Sequence, residues 1–271
     1  MINAVIIVLR EVLEAMLVIC ILLASSSALG IKHRWLVYAL AAGFASAFSY
    51  ALMFNDVSQL FEGFGQEIFN ATMLVFIALS LLGYNLVAIR FLQEGRITLA
   101  PGLIYLLFIS SVSFAMTREG SEIYIYGYSY GIAADNFSTV VFGGMIGAGI
   151  GLSLGFFIYY ALVSLTSHKR IIVSSVLALL MMAGMLSQAV LYLIQADLLP
   201  SQLPLWDTSN FISESSLMGE LLHAMLGYEA SPTAIQALVY LGSLLLFFAY
   251  AGMRFNSAGL FRRVSSKRKK S

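Results

Sequence analysis

The sequence predicts an all-α, polytopic membrane protein with seven transmembrane helices, built as two inverted three-helix repeats plus a seventh helix. Three observations carry this prediction. The 271-residue chain is 60% hydrophobic and 11% charged, with mean hydropathy +0.88, a balance found in polytopic membrane proteins rather than soluble domains. Its apolar residues gather into seven segments, each close to the ~20 residues a spanning helix needs. An identical charged pattern, Arg-Glu-x-x-Glu, opens the first segment and recurs in the fourth.

The segments are expected at about 2–24, 35–54, 61–89, 102–130, 137–165, 171–196 and 233–254. The first has neither a basic flank nor a small-residue cleavage site, so it reads as a retained helix rather than a removable signal peptide. The third and fourth are long and partly polar, which predicts a tilt or a break. Basic residues alternate between the connections. Lys32 and Arg34 follow helix 1, Arg90 and Arg96 follow helix 3, and Lys169 and Arg170 follow helix 5. Arg254, Arg262, Arg263, Lys267, Arg268, Lys269 and Lys270 follow helix 7. The opposite connections carry Asp56, Asp135, Asp197, Asp207, Glu214 and Glu229 and no Lys or Arg. By the positive-inside rule the N-terminus is outside and the C-terminus cytoplasmic, in a multi-pass protein of the cytoplasmic membrane.

Helices 1 and 4 therefore run in opposite directions, and each opens a set of three. Repeat one covers about 1–89 and repeat two about 102–196. An extracytoplasmic loop, 197–232, precedes helix 7, and its end is expected to be a re-entrant or interfacial piece. Together 1–254 form one membrane domain. The basic tail 255–271 is expected to be mobile against the anionic inner leaflet, not a nucleic-acid site. Inverted repeats place substrate at their interface near the bilayer midplane. Arg10 lies about 12 Å into helix 1 at 1.5 Å per residue, and Arg118 falls mid-segment, so both depths suit such a site.

Charges at membrane depth are costly and mark function. Arg10, Glu11 and Glu14 share one helical face, as do Arg118, Glu119 and Glu122. If the faces meet, four carboxylates and two guanidinium groups converge, leaving about two negative charges for a cation to neutralise. Carboxylate oxygens suit hard cations such as ferric iron, manganese, magnesium and calcium, and Arg stays charged at any relevant pH. A single copy reads equally well as a salt bridge that fixes packing. Two copies at equivalent positions favour a metal site, and both roles are compatible.

Other polar positions are weaker. Glu62, Gln66 and Asn70 form a stripe on helix 3, with Glu62 placed to collect cations at the outer mouth, and Glu67 lies off it. Gln188, Tyr192 and Gln195 on helix 6 read first as packing and interhelix hydrogen bonds. Tyr124, Tyr126, Tyr128 and Tyr130 read as an interfacial aromatic belt, with Tyr124 and Tyr128 facing the outer vestibule. Gly143, Gly147, Gly151 and Gly155 line one stripe of helix 5 and read as a close-packing seam. Cys20 is the single cysteine, which excludes an internal disulfide. His33, His168 and His223 show no paired metal-ligand spacing.

The double Arg-Glu-x-x-Glu in a seven-helix frame resembles the oxidase-dependent iron permeases of bacteria and fungi. The likeness extends to Leu60-Phe61-Glu62-Gly63, to the stretch from Gly219 through Glu220 and His223 to Tyr228, and to Ser231-Pro232. It implies iron ions carried inward across the cytoplasmic membrane, with no cofactor besides this substrate and no enzymatic activity. It implies iron-handling carboxylates at Glu11, Glu14, Glu119, Glu122 and Glu62, flanked by Arg10 and Arg118. It also implies an extracytoplasmic ferroxidase or iron-delivery partner. The chain departs from the family in having Val12 where Gly is usual and Ser121 where an apolar residue is usual. A permease of this architecture for manganese or lead would need the same ligands. A seven-helix receptor or retinal protein fits less well, because 233–254 holds no Schiff-base Lys. A membrane enzyme lacks any nucleophile–base pair, and no phosphate-binding loop for direct ATP coupling is present.

Overall fold

The computed structural model describes residues 1–97, 99–132, 137–214 and 216–268, with the side chains of 130–132, 217 and 255–268 left aside. The expectations for Asp135, for the Tyr130 side chain and for the basic tail side chains from Arg262 to Lys270 therefore lie outside the described residues.

Each of the seven apolar segments forms a long helix. These are α1 (Ile2–Ala28), α2 (Arg34–Gln59), α3 (Gly65–Glu94), α4 (Pro101–Tyr126), α5 (Phe137–Val163) and α6 (Ser167–Gln195), then, after a shorter helix α7 (Leu217–Leu226), α8 (Ala234–Arg268). Six of them, all but α1 among the long helices, are long and apolar enough to cross a membrane. The chain is a multi-pass membrane protein. The described residues form no sheet; one isolated antiparallel bridge, Pro204 to Thr233, ties the long connection to the start of α8.

The irregular points fall where the sequence is polar. The third segment breaks at its start, in a 3-10 turn Phe61–Gly63 with left-handed backbone at Phe61 and Glu62. There Gly65 passes so close to α2 that a Cβ would lie 1.8 Å from the Val57 carbonyl oxygen. The fourth segment ends in a π-helical stretch, Gly127–Ile132. α8 runs well past the expected end at 254, its backbone staying helical to Arg268.

The packing is interleaved. α1 packs along α5, α2 along α4, and α3 along α6, with α1 also touching α4, α6 and α7. The α5 glycines form the seam with α1, as their spacing predicts. A Cβ at Gly147 would sit 2.4 Å from the Val5 carbonyl oxygen, and one at Gly151 3.0 Å from the Val12 side chain. Backbone approach of this kind lets dispersion hold helices together where lipid supplies no hydrophobic drive. Across α2 and α4, Ser113 Oγ donates to the Ala39 carbonyl at 3.1 Å. Gly147→Leu is accordingly expected to prise α5 from α1, costing about 1–3 kcal/mol by overpacking. A lowered thermal midpoint of the purified protein in detergent checks this.

Candidate metal centre

The interleaving brings the middle of α1 against the middle of α4, so the two charged faces meet. Arg118 is completely buried and binds three carboxylates. Its Nη1 donates to Glu14 Oε2 at 2.9 Å and to Glu119 Oε1 at 2.7 Å, and its Nη2 donates to Glu122 Oε1 at 3.0 Å. The bond to Glu14 crosses from α4 to α1. Arg10 is different, with 36% of its side chain exposed. Its Nε donates to Glu11 Oε1 at 3.0 Å. Its Nη2 lies 3.5 Å from Glu122 Oε2, completing a second crossing. Two motifs equivalent in sequence thus hold unequal places, one arginine locked in the interior and one at the edge of a cavity.

That cavity, of about 410 Å³, is lined by Ile7, Arg10, Glu11, Asn70, Glu122, Ile125, Tyr126 and Ser129. It opens the charged cluster toward the end of the bundle where α1 begins. Tyr124 and Tyr128, expected to face it, instead stack on each other and meet the Phe54 ring of α2 at steep angles. Tyr126 and Ser129 take their place because, with Ile125, they follow Glu122 at ordinary α-helical spacing and share its face, whereas Tyr124 and Tyr128 do not. Of the helix 3 stripe, Asn70 reaches this cavity, while Glu62 is exposed on its left-handed turn and does not line it. Glu67 is partly buried, with Oε2 enclosed and unpartnered.

Three carboxylate oxygens in the cluster are buried without a hydrogen-bond donor: Glu11 Oε2, Glu14 Oε1 and Glu119 Oε2. Glu11 and Glu119, at matching positions of the two motifs, come within hydrogen-bonding reach of each other. Glu122 has no such free oxygen. Its Oε1 also accepts from Tyr192 at 2.9 Å, so part of the α6 stripe read as packing serves the site. Among the described residues, no three His, Cys, Asp or Glu side chains are grouped to hold one metal ion as they stand. The guanidinium groups occupy the space between the carboxylates.

One contributor escaped the sequence reading. α7 folds back from the long connection and brings Glu220 Oε2 to 3.8 Å from Arg10 Nε. Five carboxylates, Glu11, Glu14, Glu119, Glu122 and Glu220, then face two guanidinium groups, leaving about three negative charges on bare count. The stretch from Gly219 to Tyr228 was the available signal, through its family likeness. α7 is firmly seated. Ser216 caps it by accepting from the Gly219 amide at 3.0 Å, and Gly227 ends it in the left-handed conformation at φ +67°. Gly184 of α6 packs directly on Gly227, where a Cβ would sit 2.5 Å from the Gly227 Cα.

The sequence model of the iron permease FTR1 family matches residues 1–258. The chain belongs to that family. No curated protein and no solved structure gives a significant match. The iron permease FTR1 family is a family of metal-ion transporters, and the match runs through both motifs, α7 and the apolar part of α8.

Next to α7, Glu229 is partly buried between α6 and α8, accepting from Gln236 Nε2 at 2.5 Å. Burial pushes its carboxyl up to about 6, with His223 opposing and Glu214 adding to the rise. A raised folded value favours the proton in the folded protein. The stability Glu229 contributes is therefore full below its unfolded value of 4.5 and is lost as pH rises through about 6. Glu229→Gln is expected to flatten the stability profile across that window, a difference of about 1–2 kcal/mol. Thermal melts from pH 4.5 to pH 7 check it.

Proposed function

We propose that this permease moves iron inward, with Glu11, Glu14, Glu119 and Glu122 of the paired motifs handling the ion between α1 and α4. The observation that carries the reading is the meeting of Glu11 and Glu119, each with a buried oxygen that no donor satisfies. Burying carboxylate oxygens unpaired is expensive. A transported cation repays that cost, whereas a purely structural ion pair would pair them.

α1 spans the membrane as well, making seven crossings, with its N-terminus outside. The interleaved packing supports an inverted repeat, because a two-fold exchange of α1 with α4 and α2 with α5 turns the α1–α5 seam into the α4–α2 seam. The first repeat covers about 1–89 and the second about 102–196. Iron enters by the cavity beside Arg10 and Asn70, having been delivered by an extracytoplasmic ferroxidase or carrier. Glu62, exposed on the turn before α3, serves as a first acidic contact.

Within the cluster the arginines act as resident cations. An arriving ion competes with the guanidinium groups for carboxylate oxygens, which keeps binding weak enough for release. Arg10, partly exposed, is the one free to swing aside, while Arg118 holds α4 to α1.

The test is uptake of radiolabelled iron by proteoliposomes, with ferrous and ferric iron offered separately and manganese as competitor. Wild type is expected to accumulate iron, and the Glu11→Gln/Glu119→Gln double variant to lose it while keeping its fold. Equal uptake by the two proteins would overturn the role of the motif.

A further inference from the structure

Glu14 has two faces. Its Oε2 is held by Arg118, while its Oε1 is buried without a hydrogen-bond donor, its nearest cation being Arg10 Nε at 3.9 Å. Glu14 borders a separate small cavity of about 20 Å³, lined also by Met181, Gly184, Met185 and Gln188 of α6 and by His223 and Ala224 of α7. Such a volume holds about one water molecule or one largely dehydrated ion.

The histidine is already oriented as a ligand would be. His223 Nδ1 lies 2.9 Å from the Tyr228 carbonyl oxygen. A carbonyl only accepts, so Nδ1 donates, and Nε2 is the ring nitrogen left to face a ligand. Metal-bound histidines are commonly fixed in this way, one nitrogen donating to a backbone carbonyl while the other binds. Tyr228 is anchored in turn, its hydroxyl donating to the Ile212 carbonyl at 3.0 Å. The close seat of Gly227 on Gly184 fixes α7 against α6.

We propose that Glu14, His223 and the thioethers of Met181 and Met185 form a second metal station, selective for divalent first-row transition metals. It lies across Glu14 from the carboxylate cluster, so one residue serves both. This rests on the permease reading and extends it. An imidazole and thioethers favour borderline ions over hard ones such as magnesium or calcium, which the all-carboxylate cluster alone does not reject. The station supplies a filter that the paired motifs lack.

The test uses cobalt(II) as probe, titrated into tag-free protein in detergent and followed by calorimetry and by visible d–d absorption. Wild type is expected to bind cobalt with bands typical of nitrogen ligation. His223→Gln should weaken binding about tenfold or more and change the bands. Met185→Leu, a near-isosteric change that the helix tolerates, should shift the bands with little change in melting temperature, which keeps the proposal testable should His223→Gln fold poorly. Cobalt binding and spectra unchanged in both variants would overturn it. In that event, loss of binding in Glu119→Gln would leave the motif reading standing, and unchanged binding there too would remove both.

Discussion

Arg118→Met is expected to be the most destabilising single change in this protein, at about 3–5 kcal/mol, the usual range when one partner of a buried ion pair is removed. The arginine is fully buried and donates to Glu14, Glu119 and Glu122. Without it, Glu119 loses its cation, Glu14 and Glu122 keep only longer contacts to Arg10, and α4 loses the shorter of its two charged bridges to α1. Arg118→Lys should recover only part of this, because one ammonium cannot reproduce two guanidinium nitrogens serving three carboxylates. Arg10→Met should cost about 1 kcal/mol or less, since an ion pair more than a third exposed is screened by water. The interaction is isolated by pairing Arg118→Met with Glu119→Gln: removing one orphaned charge should return part of the lost stability. Yield of monodisperse protein and thermal midpoint in detergent measure all four variants. An Arg118→Met protein that melts like wild type would show that the Arg118 bridge is not what holds α4 to α1.

The contrast between the two arginines marks the limit of what the sequence displays. Repetition of Arg-Glu-x-x-Glu is visible in one dimension, because helical spacing puts all three charges on one face and apolar flanks put them at depth. Inequality of the copies is a tertiary property. It arises from α7, which covers one side of the cluster and leaves Arg10 at the cavity edge. α7 has ten residues, too few to register as a spanning segment, and its polar positions resemble those of any solvated loop. Glu220 and His223 therefore read as loop residues although both face α1. Long helices and the α5 glycine seam were legible because length and period alone define them. Tyr192 was not, because a tyrosine on a mostly apolar helix carries no mark of which neighbour its hydroxyl meets. The inward place of Tyr126 and Ser129, by contrast, was legible at 3.6 residues per turn, since both share the face of Glu122, and the expectation for Tyr124 and Tyr128 took the wrong phase of that helix.

Within the motifs, single substitutions should separate ion handling from helix pairing. Glu11→Gln and Glu119→Gln each replace a carboxylate whose Oε2 is free of donors. Each should lower the initial rate of iron uptake by about 100-fold, the upper end of what disturbing a metal site costs. The amide retains the size of the side chain and still accepts through its carbonyl, so the fold is kept. Glu122→Gln should behave in the opposite sense. Both Glu122 oxygens already lie near donors, Arg118 and Tyr192 at Oε1 and Arg10 at Oε2, so it handles the ion only once Arg10 has swung aside, and its charge otherwise balances the arginines. Its loss should cost about 1–3 kcal/mol of stability and reduce uptake by about tenfold or less, an effect of second-rank groups around a metal. Uptake rates in proteoliposomes, set beside melting temperatures of the same preparations, give both quantities. If Glu122→Gln abolished uptake while Glu119→Gln transported normally, donor-free oxygens would not identify the residues that touch iron. The ion would then have to enter by displacing Arg118 from Glu122, with the deep arginine moving instead of Arg10.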